Sequence, residues 1–314
     1  MGANSTYLFV LYIWVALFCK SEAIIQIPLP SGNGPESIVF DKSGRGPYTG
    51  ISDGRILRWD GLRSGGWVNF AVTSPYCVTR TEDCIGSTAR SLERKCGRPL
   101  GLQLNKTSGD IYVVDAYHGL MVIGPEGGRA RPLASSVDGV PFRFLNGLDI
   151  DQDNGDIYFT DTSRQFERRE YGLVISTDDS TGRLMKYDSQ TKQVTVLLRG
   201  LFFANGVAVS KDKSYVLVTE TTRNRIQRYW LSGAKNGTSE IWVELPGSPD
   251  NIKRNSEGNF WVAINHALAV KVDRDGLIID VIDVTKVSHS ISEVQEHQGR
   301  LFLGSVLINH VGVY

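Results

Sequence analysis

The chain has 314 residues, 41% of them hydrophobic, which is enough for one large all-β domain or two ordinary domains. Lys and Arg together number 34, as do Asp and Glu, so the formal net charge is zero. Proteins that bind nucleic acid usually carry a basic excess, and we therefore expect no nucleic-acid partner. The 33 glycines suit a fold with many tight turns.

The first residues have the pattern of a targeting segment. Tyr7 to Cys19 is an uncharged apolar run, and Ser21 and Ala23 form the small-x-small pattern of a signal-peptidase site. The run is shorter than the roughly 20 residues that a membrane span needs. Residues 1–23 are therefore predicted to be a signal peptide. An uncleaved anchor is the alternative, and contact with a membrane is expected only in that case.

Residues 24–314 would form the mature domain, in the secretory pathway. The vacuole or the extracellular space is the expected compartment, and the endoplasmic reticulum stays open. Cys77, Cys84 and Cys96 lie in one loop-like stretch, where a pair would form a disulfide and leave one thiol over. The sequons at Asn105 and Asn236 lie on polar turns and predict N-glycosylation.

A short strand phrase recurs six times along the chain, each time after a polar turn that usually contains glycine. The phrases begin at Pro47, Asp110, Asp156, Ser214, Asn259 and Arg300. Repeats of about fifty residues, each with about four short strands, are typical of propeller blades. The sequence therefore predicts an all-β fold, a six-bladed β-propeller. We expect the segment Ile24 to Leu29 to supply the outer strand that the last repeat lacks.

A second, shorter phrase precedes each strand phrase and would form the innermost strand of its blade. The residues that head these phrases are Glu36, Leu100, Asn146, Asn205, Asp250 and Ser292. Because innermost strands line the central channel of a propeller, these positions should meet around one axis. Carboxylate and carbonyl oxygens together are the ligands that Ca²⁺ prefers. The sequence thus predicts a Ca²⁺ site formed by Glu36, Asn146, Asn205 and Asp250.

An alternative explanation covers two of these four residues, since Asn-Gly pairs also make ordinary turns. It does not explain why Glu36 and Asp250 fall in the same register. No Cys or His heads a phrase, so zinc and copper are not expected. The Lys253-Arg254 pair is predicted to lie on the surface, and His297 in a solvated turn.

Several phrases together resemble the strictosidine synthase family. They begin at Cys96, Phe144, Gly182, Asn205, Pro249 and Ile291, and the resemblance runs from about Glu36 to the C-terminus. It is closer to the plant strictosidine synthase-like proteins and the adipocyte plasma-membrane-associated protein than to strictosidine synthase. The resemblance implies a six-bladed fold shared with paraoxonase, regucalcin and diisopropyl fluorophosphatase.

The resemblance also implies roles for individual residues. The four oxygen-bearing residues match the calcium ligands of the hydrolase relatives, and a Cys84–Cys96 disulfide matches one in the synthase, which leaves Cys77 free. The place of the synthase's essential glutamate is taken by Ser292. Leu100 stands at the place of the histidine of paraoxonase. These two departures count against synthase and paraoxonase-type lactonase activity.

The leading hypothesis is therefore a calcium-dependent hydrolase of small esters, lactones or organophosphates, with Asp250 as base or nucleophile. A small-molecule substrate and a monomeric state are expected. The second hypothesis is amine–aldehyde condensation of alkaloid synthesis with Glu293 as a replacement base. Alternation along a strand, however, predicts that Glu293 faces the packing between blades if Ser292 faces the channel. The third hypothesis is a non-catalytic lumenal binding propeller.

Overall fold

The computed structural model describes residues 24–76 and 83–314. In that part of the chain the backbone forms six antiparallel sheets arranged around one axis, which confirms the predicted six-bladed β-propeller. The predicted targeting segment 1–23 and Cys77 lie outside the described residues. Among the described residues, no helix combines the length and apolar character of a membrane span.

The described strands are short. In chain order they are β1 (Ile25–Pro28), β2 (Ile38–Val39), β3 (Tyr48–Gly50), β4 (Arg55–Trp59), β5 (Trp67–Val72), β6 (Pro99–Leu104), β7 (Ile111–Asp115), β8 (Gly119–Ile123), β9 (Gly128–Arg129), β10 (Arg131–Ala134), β11 (Ser136–Val137), β12 (Val140–Pro141), β13 (Leu145–Ile150), β14 (Ile157–Asp161), β15 (Gly182–Tyr187), β16 (Val194–Leu201), β17 (Ala204–Val209), β18 (Tyr215–Glu220), β19 (Arg225–Trp230), β20 (Ser239–Glu244), β21 (Pro249–Arg254), β22 (Phe260–Ile264), β23 (Leu268–Val272), β24 (Ile278–Asp283), β25 (Glu293–His297), β26 (Arg300–Gly304) and β27 (His310–Val313).

Each blade is one sheet, with its first strand at the channel. Blade 1 is β2-β3-β4-β5 with β9 added in parallel, and blade 2 is β6-β7-β8-β10. Blades 3, 4 and 5 follow the chain as β13 to β16, β17 to β20 and β21 to β24, and β11 pairs with β12 as a separate hairpin. Blade 6 is β25-β26-β27, and β1 pairs antiparallel with β27. The predicted closure of the last blade by the segment Ile24 to Leu29 is thus confirmed.

The core lies between neighbouring blades, and this explains the burial of the inner strands. Every residue of β13 and β17 is buried, whereas β24, at the outer edge of blade 5, is mostly exposed. Glycine is required where inner strands approach most closely. A Cβ on Gly147 would lie 2.6 Å from the carbonyl oxygen of Asn205, and one on Gly206 would lie 2.6 Å from the Cα of Asn251.

Two segments interrupt the regular blades, and both lie over the same end of the channel. The first joins blades 1 and 2 and contains a 3₁₀ turn (Arg90–Leu92), the short helix α1 (Glu93–Cys96) and the Cys84–Cys96 disulfide. The second joins β14 to β15 and contains a 3₁₀ turn (Arg168–Glu170) followed by the helix α2 (Tyr171–Ser176). Further 3₁₀ turns cover Leu62–Ser64 and Thr221–Arg223.

Candidate active site in the central channel

A cavity of about 400 Å³ lies at the end of the channel that the two inserted segments cover. Glu36, Asn146, Asn205 and Asp250, from blades 1, 3, 4 and 5, all line it, together with Leu100 of blade 2. The structure thus brings the four predicted oxygen-bearing residues to one place. Asn146 and Asn205 lie inside β13 and β17, so the alternative in which Asn-Gly pairs form turns is wrong.

Two threonines determine which atom each asparagine presents to the cavity. The hydroxyl of Thr162 donates to the carbonyl oxygen of Ala204 at 2.7 Å and accepts from Nδ2 of Asn146 at 3.1 Å. Thr221 makes the same pair of bonds one blade later, to Pro249 and from Asn205. Because each hydroxyl proton is already donated, the asparagine must offer its nitrogen to the threonine and its oxygen to the cavity.

Three oxygens that line the cavity are buried and accept no hydrogen bond within the described residues. Glu36 Oε2, Asn146 Oδ1 and Asn205 Oδ1 have no hydrogen-bond partner within the described part of the chain. Buried polar atoms normally have partners, so oxygens without hydrogen bonds around one cavity fit a site for a bound cation or water. Two carboxylates and two carboxamide oxygens suit a hard cation such as Ca²⁺. No group of three or more His, Cys, Asp or Glu side chains forms a metal cluster among the residues described.

The carboxyl groups of Glu36 and Asp250 have raised pKa values in the protein without a cation. Burial is the main cause for Glu36, and the guanidinium of Arg98 partly offsets it. Burial raises the pKa of Asp250 well above its usual range, and the neighbouring carboxylate of Glu36 raises it further. Hydrogen bonds from Asn205 and Ser292 act in the opposite direction. A cation in the cavity would relieve this repulsion, because it favours the charged form of both groups.

Ser292 and Glu293 occupy positions that differ from the alternation expected for a strand. The Oγ of Ser292 accepts from the backbone N–H of Val306 at 3.2 Å and lies beside Asp250. Glu293 is fully buried, and its Oε1 accepts from the backbone N–H of Ile38 at 3.4 Å. Oε1 also lies 3.5 Å from the Nζ of Lys253. Burial raises the pKa of Glu293 to about 7.

The prediction that Lys253 lies on the surface is wrong. Lys253 is only 7% exposed, and its Nζ donates at 3.0 Å to the carbonyl oxygen of Leu102. Lys253 belongs to blade 5 and Leu102 to blade 2, three blades apart on a ring of six, so the lysine side chain crosses the channel. Its contact with Glu293 therefore places that carboxylate at the channel as well. The expectation that Glu293 packs between blades is wrong.

The sequence analysis missed Arg98, which is completely buried in the cavity wall. Its Nη1 donates to the carbonyl oxygen of Gly34 at 3.0 Å, and its Nη2 lies 3.8 Å from Oε2 of Glu36. Burial lowers the pKa of Arg98 to about 10, with the Arg168 guanidinium acting in the same direction. The only sequence signal for Arg98 is its position directly before β6, a strand whose residue Leu100 lines the channel.

The two inserted segments are joined to each other above the cavity. Arg168 pairs with Glu93, whose other oxygen accepts from the hydroxyl of Tyr117 at 2.7 Å. Arg94 pairs with Glu167, and Arg90 lies over the ring of Tyr171 at 5.0 Å. Because Arg90, Glu93, Arg168 and Tyr171 line the cavity, these contacts fix the shape of its mouth. We call the two joined segments the clasp.

The opposite end of the channel opens into a separate cavity of about 650 Å³. Gln103, Asp149, Lys253 and His297 are among its lining residues. Most of its polar side chains are satisfied internally, as when Asp149 accepts from Gln103 at 2.7 Å. His297 was predicted to lie in a solvated turn, but its ring stacks on Phe40 with centroids 3.7 Å apart.

The predicted glycosylation sites both lie in turns. Asn105 follows β6, and its Oδ1 accepts from the backbone N–H of Thr107 at 2.9 Å. Asn236 is exposed between β19 and β20. Both modifications stay predictions.

Sequence comparison gives one consistent family. The family model described as Strictosidine synthase matches residues 146–234, and Strictosidine synthase-like, N-terminal matches residues 22–59. The chain is 46% identical to protein Strictosidine synthase-like 10 of Arabidopsis thaliana, over 92% of this chain and 87% of that protein. It is 38% identical to strictosidine synthase of Catharanthus roseus, over 89% and 82%.

Structural comparison finds other propellers. A gluconolactonase of Xanthomonas campestris matches with a TM-score of 0.70 and 15% identity, covering 92% of this chain and 88% of that one. A calcium-binding protein of Agrobacterium tumefaciens, regucalcin, matches with a TM-score of 0.64 and 14% identity, covering 92% of both. At such low identity the likeness shows the shared fold.

Proposed function

The chain belongs to the strictosidine synthase-like family, and from that premise we propose that it is a calcium-dependent hydrolase of small esters, lactones or organophosphates. The observation that carries the proposal is the ring of unpaired buried oxygens around the cavity. Propellers of the same fold include a protein named gluconolactonase and one named as calcium-binding, so the fold accommodates both properties.

Glu36, Asn146, Asn205 and Asp250 would hold the ion. When bound, Ca²⁺ would supply a Lewis acid that polarises a carbonyl or phosphoryl oxygen. Thr162 and Thr221 keep the two asparagine oxygens aimed into the cavity, so the ligand set is oriented before the ion arrives. Arg98 balances part of the negative charge of Glu36 from behind.

Asp250 is the residue with the proton-transfer role in this proposal. Its carboxyl group lines the cavity, and its pKa lies well above the usual range, mainly because of burial. As a carboxylate beside the ion, it would accept the proton of an attacking water molecule. Ser292 and Asn205 hold the carboxyl group in place through hydrogen bonds. The cavity volume of about 400 Å³, narrowed by the clasp, favours small substrates.

The proposal is tested by turnover of 4-nitrophenyl acetate, δ-valerolactone and diethyl 4-nitrophenyl phosphate, with Ca²⁺ and with EDTA. We expect turnover of at least one substrate that EDTA abolishes and Ca²⁺ restores. Asp250→Asn should lower kcat by about 10²–10⁴-fold, the usual contribution of a general base. Glu126→Gln, the corresponding acid-to-amide change at an exposed turn, is the control. Equal turnover in EDTA and in Ca²⁺ would contradict the proposal.

The second candidate is amine–aldehyde condensation, which the 38% identity to strictosidine synthase favours. Ser292 stands where that enzyme's glutamate is expected, and an unactivated hydroxyl keeps its proton at neutral pH. Glu293 is already engaged by Lys253 and by the N–H of Ile38. We therefore expect no product above a no-enzyme control when the protein is incubated with tryptamine and secologanin. If product forms and Glu293→Gln abolishes it while Ser292→Ala does not, the second candidate replaces the first.

We propose the secretory pathway as the place of action, with the protein as a monomer. The Cys84–Cys96 disulfide supports an oxidising compartment, because reducing cytosol does not maintain such bonds. If no substrate class is turned over but Ca²⁺ still stabilises the fold, a non-catalytic propeller whose ion joins the blades is the remaining function.

A further inference from the structure

The channel contains a charged layer between its two cavities. Lys253, Glu293, Leu102 and Ile38 form this layer and come from blades 5, 6, 2 and 1. Glu36 and Asp250 line the cavity above it, whereas Gln103 and Asp149 line the cavity below. Lys253 also lines the cavity below, so the layer lies between the two cavities.

The ammonium of Lys253 lies in an oxygen-lined position inside this layer. The carbonyl oxygen of Leu102 is 3.0 Å away, and Oε1 of Glu293 is 3.5 Å away. Oε2 of Glu293 has no hydrogen-bond partner among the residues that the structure describes, and Glu293 is fully buried. Carbonyl and carboxylate oxygens around a buried point are the surroundings of a bound cation, and here the protein's own side chain supplies that cation.

We propose that Lys253 is a tethered cation that occupies a cation-binding site in the middle of the channel and closes the passage between the two cavities. The site is selective for a primary ammonium group, because Leu102 and Glu293 offer hydrogen-bond acceptors that an N–H donor fits. Through Glu293, which also accepts from Ile38, the single ammonium connects four of the six blades. The inference is independent of the proposed hydrolase activity.

The closed layer has a consequence for the upper cavity. On this proposal, a ligand would enter and leave the upper cavity past the clasp.

The test is chemical rescue of Lys253→Ala. This substitution removes the atoms of a propylammonium ion, so propylammonium chloride should refill the site and raise the melting temperature of the variant in a saturable way. Tetramethylammonium chloride at equal ionic strength has no N–H donor and should not. The wild type and Lys253→Met, which fills the space without a charge, should not respond to either salt. All measurements are made in EDTA, so the result does not depend on Ca²⁺.

A second measurement applies if Lys253→Ala does not fold. Lys253→Met should lower the melting temperature by about 5–10 °C, because it leaves a buried carboxylate without its cation. In a protein that already carries Glu293→Gln, Lys253→Met should lower the melting temperature much less. A rescue by propylammonium no larger than that by tetramethylammonium would overturn the proposal. The proposal would also be overturned if Lys253→Met lowered the melting temperature equally with Glu293 and with Gln at position 293.

Discussion

The threonines behind Asn146 and Asn205 show how one side chain controls which atom its neighbour presents to the cavity. Each hydroxyl donates to a carbonyl oxygen of the next blade, so the position of one blade fixes the orientation of an amide on its neighbour. The bond from the asparagine amide to the threonine hydroxyl occurs in both blade 3 and blade 4. The oxygen site is therefore a property of the assembled ring, and no single blade could form it.

Thr162→Val tests this control of orientation. The substitution keeps the shape but removes the acceptor for Nδ2 of Asn146, so the amide is free to turn its oxygen away. We expect Ca²⁺ affinity to fall by about 10-fold or more, the usual effect of removing an outer-shell partner of a metal ligand. Calorimetric titration measures it, and Thr162→Ser, which keeps the hydroxyl, is the matched control. Equal affinities of the Val and Ser variants would contradict this role.

The raised pKa values of Glu36 and Asp250 predict how stability depends on pH. Without a cation the folded protein retains protons that the unfolded chain releases at the ordinary values of 4.5 and 3.8. Stability should therefore fall as the pH rises from about 4 through the raised pKa values. The pKa of Glu240 is lowered to about 2, so this group changes charge only below the pH range in which stability is expected to fall.

Calcium should reverse this trend, because it binds the deprotonated carboxylates. The gain in unfolding free energy should reach about 2.7 kcal/mol at a hundredfold excess over the dissociation constant. It should be larger at pH 8 than at pH 5. Melting curves at both pH values, with EDTA and with Ca²⁺, measure the difference. Asp250→Asn should reduce both the pH dependence and the calcium gain, and a gain independent of pH would refute the assignment.

The register of the inner strands allowed Glu36, Asn146, Asn205 and Asp250 to be placed together from the sequence, because equivalent positions of a propeller meet at its axis. Lys253 was misplaced because a basic pair at the end of a strand usually faces solvent. Its burial depends on the carbonyl oxygen of Leu102, 151 positions away in sequence, and no local pattern reveals such a partner.

At the scale of elements, the strands were predictable and the clasp was not. Strand phrases repeat and alternate, so their number and order follow from the sequence. The clasp depends on single contacts between segments far apart in sequence, such as Glu93 with Arg168. The helices described in the two segments, Glu93–Cys96 and Tyr171–Ser176, have four and six residues. Periodicity cannot identify helices that short.

The disulfide supports one half of the clasp. Replacing Cys84 and Cys96 together by Ala should lower the free energy of unfolding by about 2–4 kcal/mol. It should also loosen the cavity wall at Arg90 and Glu93, so KM should rise more than kcat falls. Denaturant unfolding and steady-state kinetics measure the two effects.

Cys77→Ser is the control for this experiment, since Cys77 is predicted to be free, and it should change neither stability nor KM. Peptide mapping of the non-reduced protein should find Cys84 linked to Cys96 and Cys77 open to alkylation. A bridge that includes Cys77 would contradict the pairing.

At the scale of the whole molecule, the ring closes through a strand from the opposite end of the described chain. β1 pairs with β27 over four residue pairs, from Ile25 with Val313 to Pro28 with His310. Its end is also bound to blade 1, where Nε1 of Trp67 donates to the carbonyl oxygen of Pro28 at 2.8 Å. β1 thus connects the last blade to the first, so we expect the relative positions of the four oxygen-bearing channel residues to depend on ring closure.

A chain that lacks residues 1–29 should therefore be less stable than one that lacks only residues 1–23. The loss should amount to roughly 1 kcal/mol for each hydrogen bond removed. The exposed edge of β27 should also make the shorter chain prone to aggregation. A peptide with the sequence of residues 24–30 should restore part of the melting temperature, since an extended peptide can complete a sheet edge. A control peptide with proline in place of Ile27 lacks a backbone N–H and should restore less.

Because the ligands come from four blades, Ca²⁺ should stabilise the truncated chain more in the presence of the peptide than in its absence. If Ca²⁺ stabilises the open and the closed chains equally, the ion site does not depend on ring closure.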